Sequence, residues 1–328
     1  MVIPAYNASG WISRSLGHLS VALHAAGIPE AEVLVVDDGS TDGTAEEARS
    51  VSGLNLSVLT TQNQGRFRAR ELGASTVSGT HILFLDSRVF IHEDSIKFVL
   101  PHLADPSSSL WTADVHAQTR GNPIARFWRC IETVFWRRYF RNRRTTSFGE
   151  DEFDYFPKGT TALIGPADLL RRAIAAFEPT VSDWRKVNDD TALLRYALQE
   201  TRIHISPKYS CTYNARTTIS AFVKHANHRG AVLIDGFLRP GTRLNLPIRF
   251  VLALVPFAIV LAVLLWQLAL AAIVLLPLII ATGCMMLGAR LADAAILAVL
   301  FWPFAVYYLA GMYWGLWLRL RGRSVTSD

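Results

Sequence analysis

Residues 33–44 read Val33-Leu34-Val35-Val36-Asp37-Asp38-Gly39-Ser40-Thr41-Asp42-Gly43-Thr44. Four apolar residues, three of them β-branched, predict a short strand buried on both faces of a parallel sheet. The run stops at two adjacent carboxylates. Gly39, Ser40 and Thr41 then suit a tight turn, and Asp42 with Thr44 suits the cap of a following helix. In an open α/β sheet, ligands sit at the carboxyl ends of strands, where this turn lies. Acidic residues there match donor groups such as ribose hydroxyls or a base N–H, whereas a phosphate-cradling loop would be rich in glycine and lysine. The same aspartates would also serve as plain solvated caps, so the rest of the chain has to decide between these readings.

The 328 residues carry a formal charge of +6 and are 51% hydrophobic, an excess concentrated towards the C-terminus. Residues 250–289 contain no charge, nor do residues 294–318. A spanning helix needs about 20 apolar residues, so the first run is long enough to cross a membrane twice, turning at Trp266-Gln267. The remainder, to about residue 245, has ordinary globular composition, and Pro240 to Pro247 break any continuous element there. No basic and apolar leader precedes the first strand, which predicts a cytoplasmic globular part; the very short strand at Met1–Ile3 leaves room for a start further upstream. Cys130, Cys211 and Cys284 lie far apart, with neither metal-ligand nor disulfide-framework spacing.

In chain order, Met1–Ile3 is the stub of a strand. Ile12, Leu16, Leu19 and Leu23 give Trp11–Ala26 helical spacing, which Gly27-Ile28-Pro29 ends. The strand of residues 33–36, a helix from about Thr44 and a strand at Leu56–Leu59 follow, the opening of a doubly wound α/β sheet.

The pairing of Val2-Ile3-Pro4-Ala5-Tyr6-Asn7 with residues 35–44 at this distance resembles family 2 glycosyltransferases of the GT-A fold, and the likeness extends to about residue 240. The resemblance implies a Rossmann-like, mostly parallel α/β domain over residues 1–240 that binds a nucleotide sugar, linked to UDP. Pro4, Tyr6, Asn7, Asp37 and Asp38 would surround the nucleoside, and Asn63, Arg66 and Arg70 would match the family's Asn-x-Gly…Ala-Arg-Asn helix, with Glu71 in place of its asparagine. Arg66 and Arg70, with Arg68, put three positive charges within reach of a diphosphate.

The strand His81–Leu85 ends in Asp86-Ser87-Arg88, where the family carries Asp-x-Asp and holds Mg²⁺ or Mn²⁺. Arg88 inverts the second charge. Either Asp86 holds the ion alone with phosphate oxygens and waters, or Arg88 contacts the leaving diphosphate directly. Asn188-Asp189-Asp190-Thr191 resembles the family's Glu-Asp motif, with Asp190 as the base that takes the acceptor's proton and Asp189 raising its pKa by like-charge repulsion. His228 and Arg229 occupy the region of the processive members' Gln-x-x-Arg-Trp, here without its glutamine and tryptophan. That implies a non-processive enzyme, the pair reaching a diphosphate or a lipid.

Residues 126–144 hold seven arginines against one acid, Glu132, with Phe127, Ile131, Phe135 and Tyr139 every fourth position. This predicts a basic amphipathic helix lying on an anionic bilayer rather than on nucleic acid. The last apolar run contains Pro303, Tyr307, Tyr308, Tyr313, Trp314 and Trp317 and ends in Arg319, Arg321 and Arg323. Its length favours a third crossing. The positive-inside rule favours two crossings over 246–318 with a kinked, interfacial or re-entrant third segment and a cytoplasmic basic tail at 319–328. Gly311 and Gly315 have helix-packing spacing. The expectation is a multi-pass plasma-membrane protein with a cytoplasmic inverting transferase, adding one sugar to a polyprenyl phosphate or lipid-linked glycan of the cell envelope. The alternative is a catalytically silent GT-A scaffold or partner subunit that binds nucleotide or lipid.

Overall fold

Val2–Ala5 (β1), too short to be stable alone, is completely buried because it is paired on both sides. The computed structural model describes residues 1–180, 183–238, 242 and 244–325, with side chains to 321. After β1 come Ile12–Ala25 (α1), Val33–Asp37 (β2), Thr44–Arg49 (α2), Leu56–Thr60 (β3), Arg66–Thr76 (α3), His81–Leu85 (β4), Val89–Ile91 (β5) and Glu93–Val99 (α4). Trp111–Thr112 (β6) and Asp114–Ala117 (β7) lead into Pro123–Phe135 (α5) and Arg137–Phe140 (α6). Thr146–Phe148 (β8), Ala162–Pro166 (β9), Ala167–Ala175 (α7), Asp189–Ala197 (α8), Ile203–Ile205 (β10) and Ser210–Tyr213 (β11) follow. Four helices end the described chain: Ile219–Phe237 (α9), Asn245–Leu264 (α10), Trp266–Met286 (α11) and Leu291–Val325 (α12).

These elements fall into two units whose segments alternate along the chain. Composition suggests one boundary between Pro240 and Pro247, but packing divides the chain differently. The first unit takes residues 1–118, 142–178 and 189–214, and the second takes 119–141, 179–188 and the chain from 215 onward. Pro240, residues 326–328 of the basic tail and the side chain of Arg323 lie outside the described residues.

The first unit holds an eight-stranded sheet in the order β3-β2-β1-β4-β9-β6-β10-β8. It is parallel from β3 through β4, with β9 and β8 antiparallel to their neighbours. A second sheet, β5-β11-β7, stands beside it. β2 is buried along its whole length, as its Val-rich run requires. Ile12, Leu16, Leu19 and Leu23 of α1 pack against Ile3, Val33, Val35 and Leu83 in one core. The chain winds from β1 out to β3 and returns to β4 on the other side of β1. That reversal makes a topological switch point at the strands' carboxyl ends.

The second unit is helical. Asn122 caps α5, its side chain accepting from the Ala125 N–H at 3.1 Å, with Pro123 in the first turn. The expected continuous helix over 126–144 is interrupted at Trp136, whose backbone (φ −110°, ψ 34°) leaves the helical region. The four-residue stripe therefore does not share one face: Phe127 and Tyr139 are buried while Phe135 is 62% exposed. Ile124, Phe127 and Cys130 pack on Phe222 of α9, Ala281 of α11 and Ala294, Leu297 and Leu300 of α12. Arg129 clamps the contact, its Nε and Nη2 donating to Asp293 Oδ2 and Oδ1 at 2.8 and 2.6 Å.

α10 and α11 meet at Leu265, close to the expected turn, and α12 runs through Pro303 without ending. All three are long and apolar enough to cross a membrane. Gly311 and Gly315 do form a packing face. A Cβ at Gly311 would collide with the Asn227 carbonyl of α9, and one at Gly315 would lie 2.7 Å from that of Ala231. Asp293→Ala is expected to destabilise this unit by about 3 kcal/mol, since it strands a half-buried arginine. Asp293→Leu with Arg129→Met should recover most of that loss, as measured by thermal unfolding in detergent.

Candidate functional site

The site grows from the carboxyl ends of β1, β2 and β4 in the first unit. Asp37 closes β2, and its Oδ1 accepts from the Ser40 N–H at 3.1 Å. Gly39 (φ +72°) turns the chain so tightly that a Cβ there would lie 2.8 Å from the Asn63 nitrogen; only glycine meets both demands. Asp38 is buried and accepts from the Gln64 and Gly65 N–H groups, each at 2.8 Å. Burial pushes its carboxyl above the ordinary range, although both N–H bonds and the neighbouring Asp37 also act on it. Asp38 thus ties the turn after β2 to the loop before α3.

Pro4 is buried in β1 opposite Val36, while Tyr6 is half exposed beyond it. Asn7 (φ +47°) donates its N–H to Ser40 Oγ at 2.9 Å and accepts from the Thr41 N–H through Oδ1 at 2.9 Å. Asp42 accepts from Thr44, whose Oγ1 in turn accepts from the Ala8 N–H at 2.8 Å. Pro4, Tyr6, Asn7, Asp37, Asp38 and Asn63 therefore surround one turn.

A second cluster lies at the end of β4 and the start of α3 and α8. Arg70 is completely buried. Its Nη1 donates to Asp189 Oδ2 at 2.6 Å and Asp190 Oδ1 at 3.0 Å, and its Nη2 to Asp86 Oδ1 at 2.9 Å. Arg66, 44% exposed at its side chain, reaches the same pair: Asp189 Oδ1 at 3.1 Å and Asp190 Oδ2 at 3.4 Å. Arg68 turns instead to Glu71. Burial alone would lower the Arg66 pKa, but Asp190, Asp189 and Asp86 raise it above the ordinary arginine value. Burial lifts the Asp86 carboxyl, against the pull of Arg70 and Arg66.

Thr160, in the loop before β9, donates its hydroxyl to Asp190 Oδ1. The run Phe156-Pro157-Lys158-Gly159-Thr160-Thr161-Ala162 resembles the family's acceptor-side loop and strand, but the sequence assigns Thr160 no individual role. Burial favours protonated Asp190, yet Arg66, Arg70 and Thr160 together hold its carboxyl down at about 2. The expected elevation by Asp189 is thus overridden, because two guanidiniums face the carboxylate pair.

Arg88, two residues beyond Asp86, lies with its guanidinium 4.9 Å from the Trp11 ring. Among the described residues no three His, Cys, Asp or Glu side chains group to hold a metal. Asp86, one-fifth exposed at its side chain, offers a single carboxylate. Such a site fits an ion that arrives with a diphosphate and keeps its waters rather than one held in a protein cage. His228 and Arg229 lie on α9 in the second unit, Arg229 with its guanidinium 5.0 Å from the Trp128 ring. There too, Asp235 is fully buried and accepts from the Thr180 and Asn188 N–H groups at 2.7 and 2.6 Å. Nothing in the local sequence distinguished it.

The Asp190 shift has a sign that can be tested. A carboxyl lowered from 3.8 to about 2 stabilises the fold above pH 3.8, and that contribution disappears as pH falls through 2. It amounts to about 2 kcal/mol. Between pH 5 and 2, wild type is expected to lose that much more stability than Asp190→Asn in denaturant titrations.

Comparison with known proteins identifies the family and the fold. The family described as glycosyl transferase family 2 matches residues 1–175. The glycosyltransferase GlyA of Streptococcus pneumoniae is 22% identical over 210 residues, which are 63% of this chain and 29% of that protein. The poly(ribitol-phosphate) β-N-acetylglucosaminyltransferase TarS of Staphylococcus aureus is 32% identical over 112 residues, 32% of this chain and 19% of that one. The chain thus spans less than a third of the length of either relative. Among solved structures, the mannosyltransferase PcManGT of Pyrobaculum calidifontis, in complex with GDP-Man and Mn²⁺, superposes with a TM-score of 0.56 at 20% identity. The superposition covers 96% of this chain and 86% of that one, and shows a shared GT-A fold. With its family match extending over more than half of its length, the chain belongs to glycosyl transferase family 2.

Proposed function

We propose that this chain is an inverting glycosyltransferase that moves one sugar from a nucleotide donor, linked to UDP, to a lipid-phosphate-linked acceptor. The observation that carries the reading is the gathering of Asp86, Asp189 and Asp190 around Arg66 and Arg70, beside the Asp37–Asp38 turn. Inverting transfer is one displacement at the anomeric carbon: the acceptor oxygen forms the new bond as the bond to the diphosphate breaks. Asp37, Asp38 and Tyr6 take the nucleoside, while Arg66 and Asp190 act at the reacting end.

A carboxylate held near 2 is a weak base at neutral pH. The half-exposed Arg66 resolves this difficulty. A donor diphosphate competes for its guanidinium, leaving Asp190 with one cation fewer and a higher proton affinity just when an acceptor hydroxyl arrives. Asp86 would hold a Mg²⁺ or Mn²⁺ brought with the donor, and that ion would offset charge on the leaving diphosphate. With a phosphate acceptor the nucleophile is already anionic, and Asp190 matters less.

The membrane reading has its own support. α12 packs through Gly311 and Gly315 on α9, a helix that carries Lys224, Arg229 and Asp235 among its apolar residues. A helix paired along that polar neighbour suits the interface better than the hydrocarbon. α10 and α11 then cross, and Arg249, Arg290, Arg319 and Arg321 all stay on the cytoplasmic side with the transferase unit. The exposed Arg137, Arg138 and Arg141, beyond the break at Trp136, suit the anionic headgroups of a plasma membrane, where a lipid-linked acceptor of envelope polysaccharide synthesis would be found.

The test is nucleoside diphosphate release by the full chain in liposomes, screening UDP-, GDP- and dTDP-sugars against polyprenyl phosphates and lipid-linked glycans. With a glycan hydroxyl as acceptor, release should fall about 10²- to 10⁴-fold in Asp190→Asn. Absence of release above that variant for every pair, with nucleotide still bound, would reassign the chain as a silent scaffold. EDTA should abolish release and Mg²⁺ or Mn²⁺ restore it. Release that persists in EDTA and collapses in Arg88→Ala would hand the ion's work to Arg88.

A further inference from the structure

The second unit contains a cleft of about 430 Å³ where α9 ends, α10 begins and α12 approaches its final turns. Leu252, Ala253, Leu316 and Leu320 give it apolar walls, and the charges lining it are Arg249 and Arg319, with no acid among the described residues. The walls are braced. Tyr313 donates its hydroxyl to the Leu252 carbonyl at 2.7 Å, and Arg319 Nη1 donates to the carbonyl of Leu238. Arg319 is only 7% exposed, which fixes one guanidinium inside an apolar groove, while Arg249 is exposed at its mouth. A chain-bearing anion matches this combination; a sugar or nucleotide would leave its hydroxyls against leucine.

We propose that the cleft binds one anionic phospholipid of the surrounding bilayer, its phosphate on Arg249 and Arg319 and one acyl chain along Leu252, Ala253 and Leu316. The arginines stand where the uncharged run of α10 starts, the level at which headgroup phosphates lie when that helix enters a bilayer. Two guanidiniums supply paired donors for phosphate oxygens, which is what a cationic groove offers and a neutral headgroup contact does not need. The bound lipid would join the entry of α10 to the end of α12. This inference rests on the membrane placement of α10 and is independent of the transferase chemistry.

The experiment uses the full chain in phosphatidylcholine nanodiscs titrated with phosphatidylglycerol, counting retained lipids by native mass spectrometry. One phosphatidylglycerol per chain is expected to remain bound in preference to phosphatidylcholine. Arg249→Gln, at an exposed position, should weaken that retention about fivefold, and Ala253→Trp should block it by filling the groove. Equal retention of both lipids, or no change in either variant, would overturn the proposal. Displacement by stoichiometric polyprenyl phosphate would also overturn it, because the cleft would then belong to the acceptor. Flotation with phosphatidylcholine liposomes separates the two failures: a chain that does not float refutes the membrane placement, whereas one that floats without lipid preference refutes only the site.

Discussion

The first unit depends on the Arg70 guanidinium, a cation with no exposed surface that is bonded to three carboxylates from two other parts of the chain. Asp86 follows β4, and Asp189 and Asp190 open α8, more than a hundred residues later. Three acids this close repel one another when charged, so a fixed cation between them offsets the repulsion and orients them. Arginine suits the task because its planar fork can address different carboxylates from different nitrogens and does not lose its proton. The arrangement also divides labour between two arginines one helical turn apart. Arg70 is enclosed and structural in character, whereas Arg66, with nearly half of its side chain exposed, is the one a ligand can reach.

How far this was legible from sequence depends on the range of the interactions concerned. The β2 run, the α1 spacing and the His81–Leu85 strand follow from short-range patterns of burial, and the structure has them within a residue or two. The helix over 126–144 was misread because an apolar stripe does not say what covers it. Its arginines suggested a lipid surface, yet much of the stripe is satisfied by α9, α11 and α12 and by the Arg129–Asp293 pair, and the backbone breaks at Trp136. The interleaving of the two units is equally invisible to composition, which changes only once along the chain.

At the site, the aspartates singled out by motif do lie together, but the electrostatic sign at Asp190 was inverted. Adjacent Asp189 suggested repulsion, and adjacency is all that a sequence displays. The cations that outweigh it come from α3, and the hydroxyl that adds to them comes from Thr160. Threonine before a strand is too common to notice. Asp235 escaped for the same reason: a lone acid on an amphipathic helix reads as solvated until its partners, Thr180 and Asn188, are seen to be backbone donors.

The third apolar helix shows why hydropathy alone does not decide what a segment does. α12 is 35 residues long, about 52 Å at the α-helical rise, far more than a bilayer's hydrocarbon needs. Its beginning is occupied by a charge pair with α5 and its middle by close backbone contact with α9. Glycine at 311 and 315 matters here because it brings the two backbones together, a geometry that lipid exposure would not demand. The apolar character of α12 therefore serves packing within the unit as well as any contact with lipid, while α10 meets protein at Ile248 and Leu252 near its start and leaves most of its later leucines and Phe257 exposed. An exposed apolar surface of this extent marks a face that meets an apolar partner. The cost of exposing it is removed only if its surroundings are themselves apolar, and this constraint, more than the count of apolar residues, is what supports the proposed membrane placement of α10.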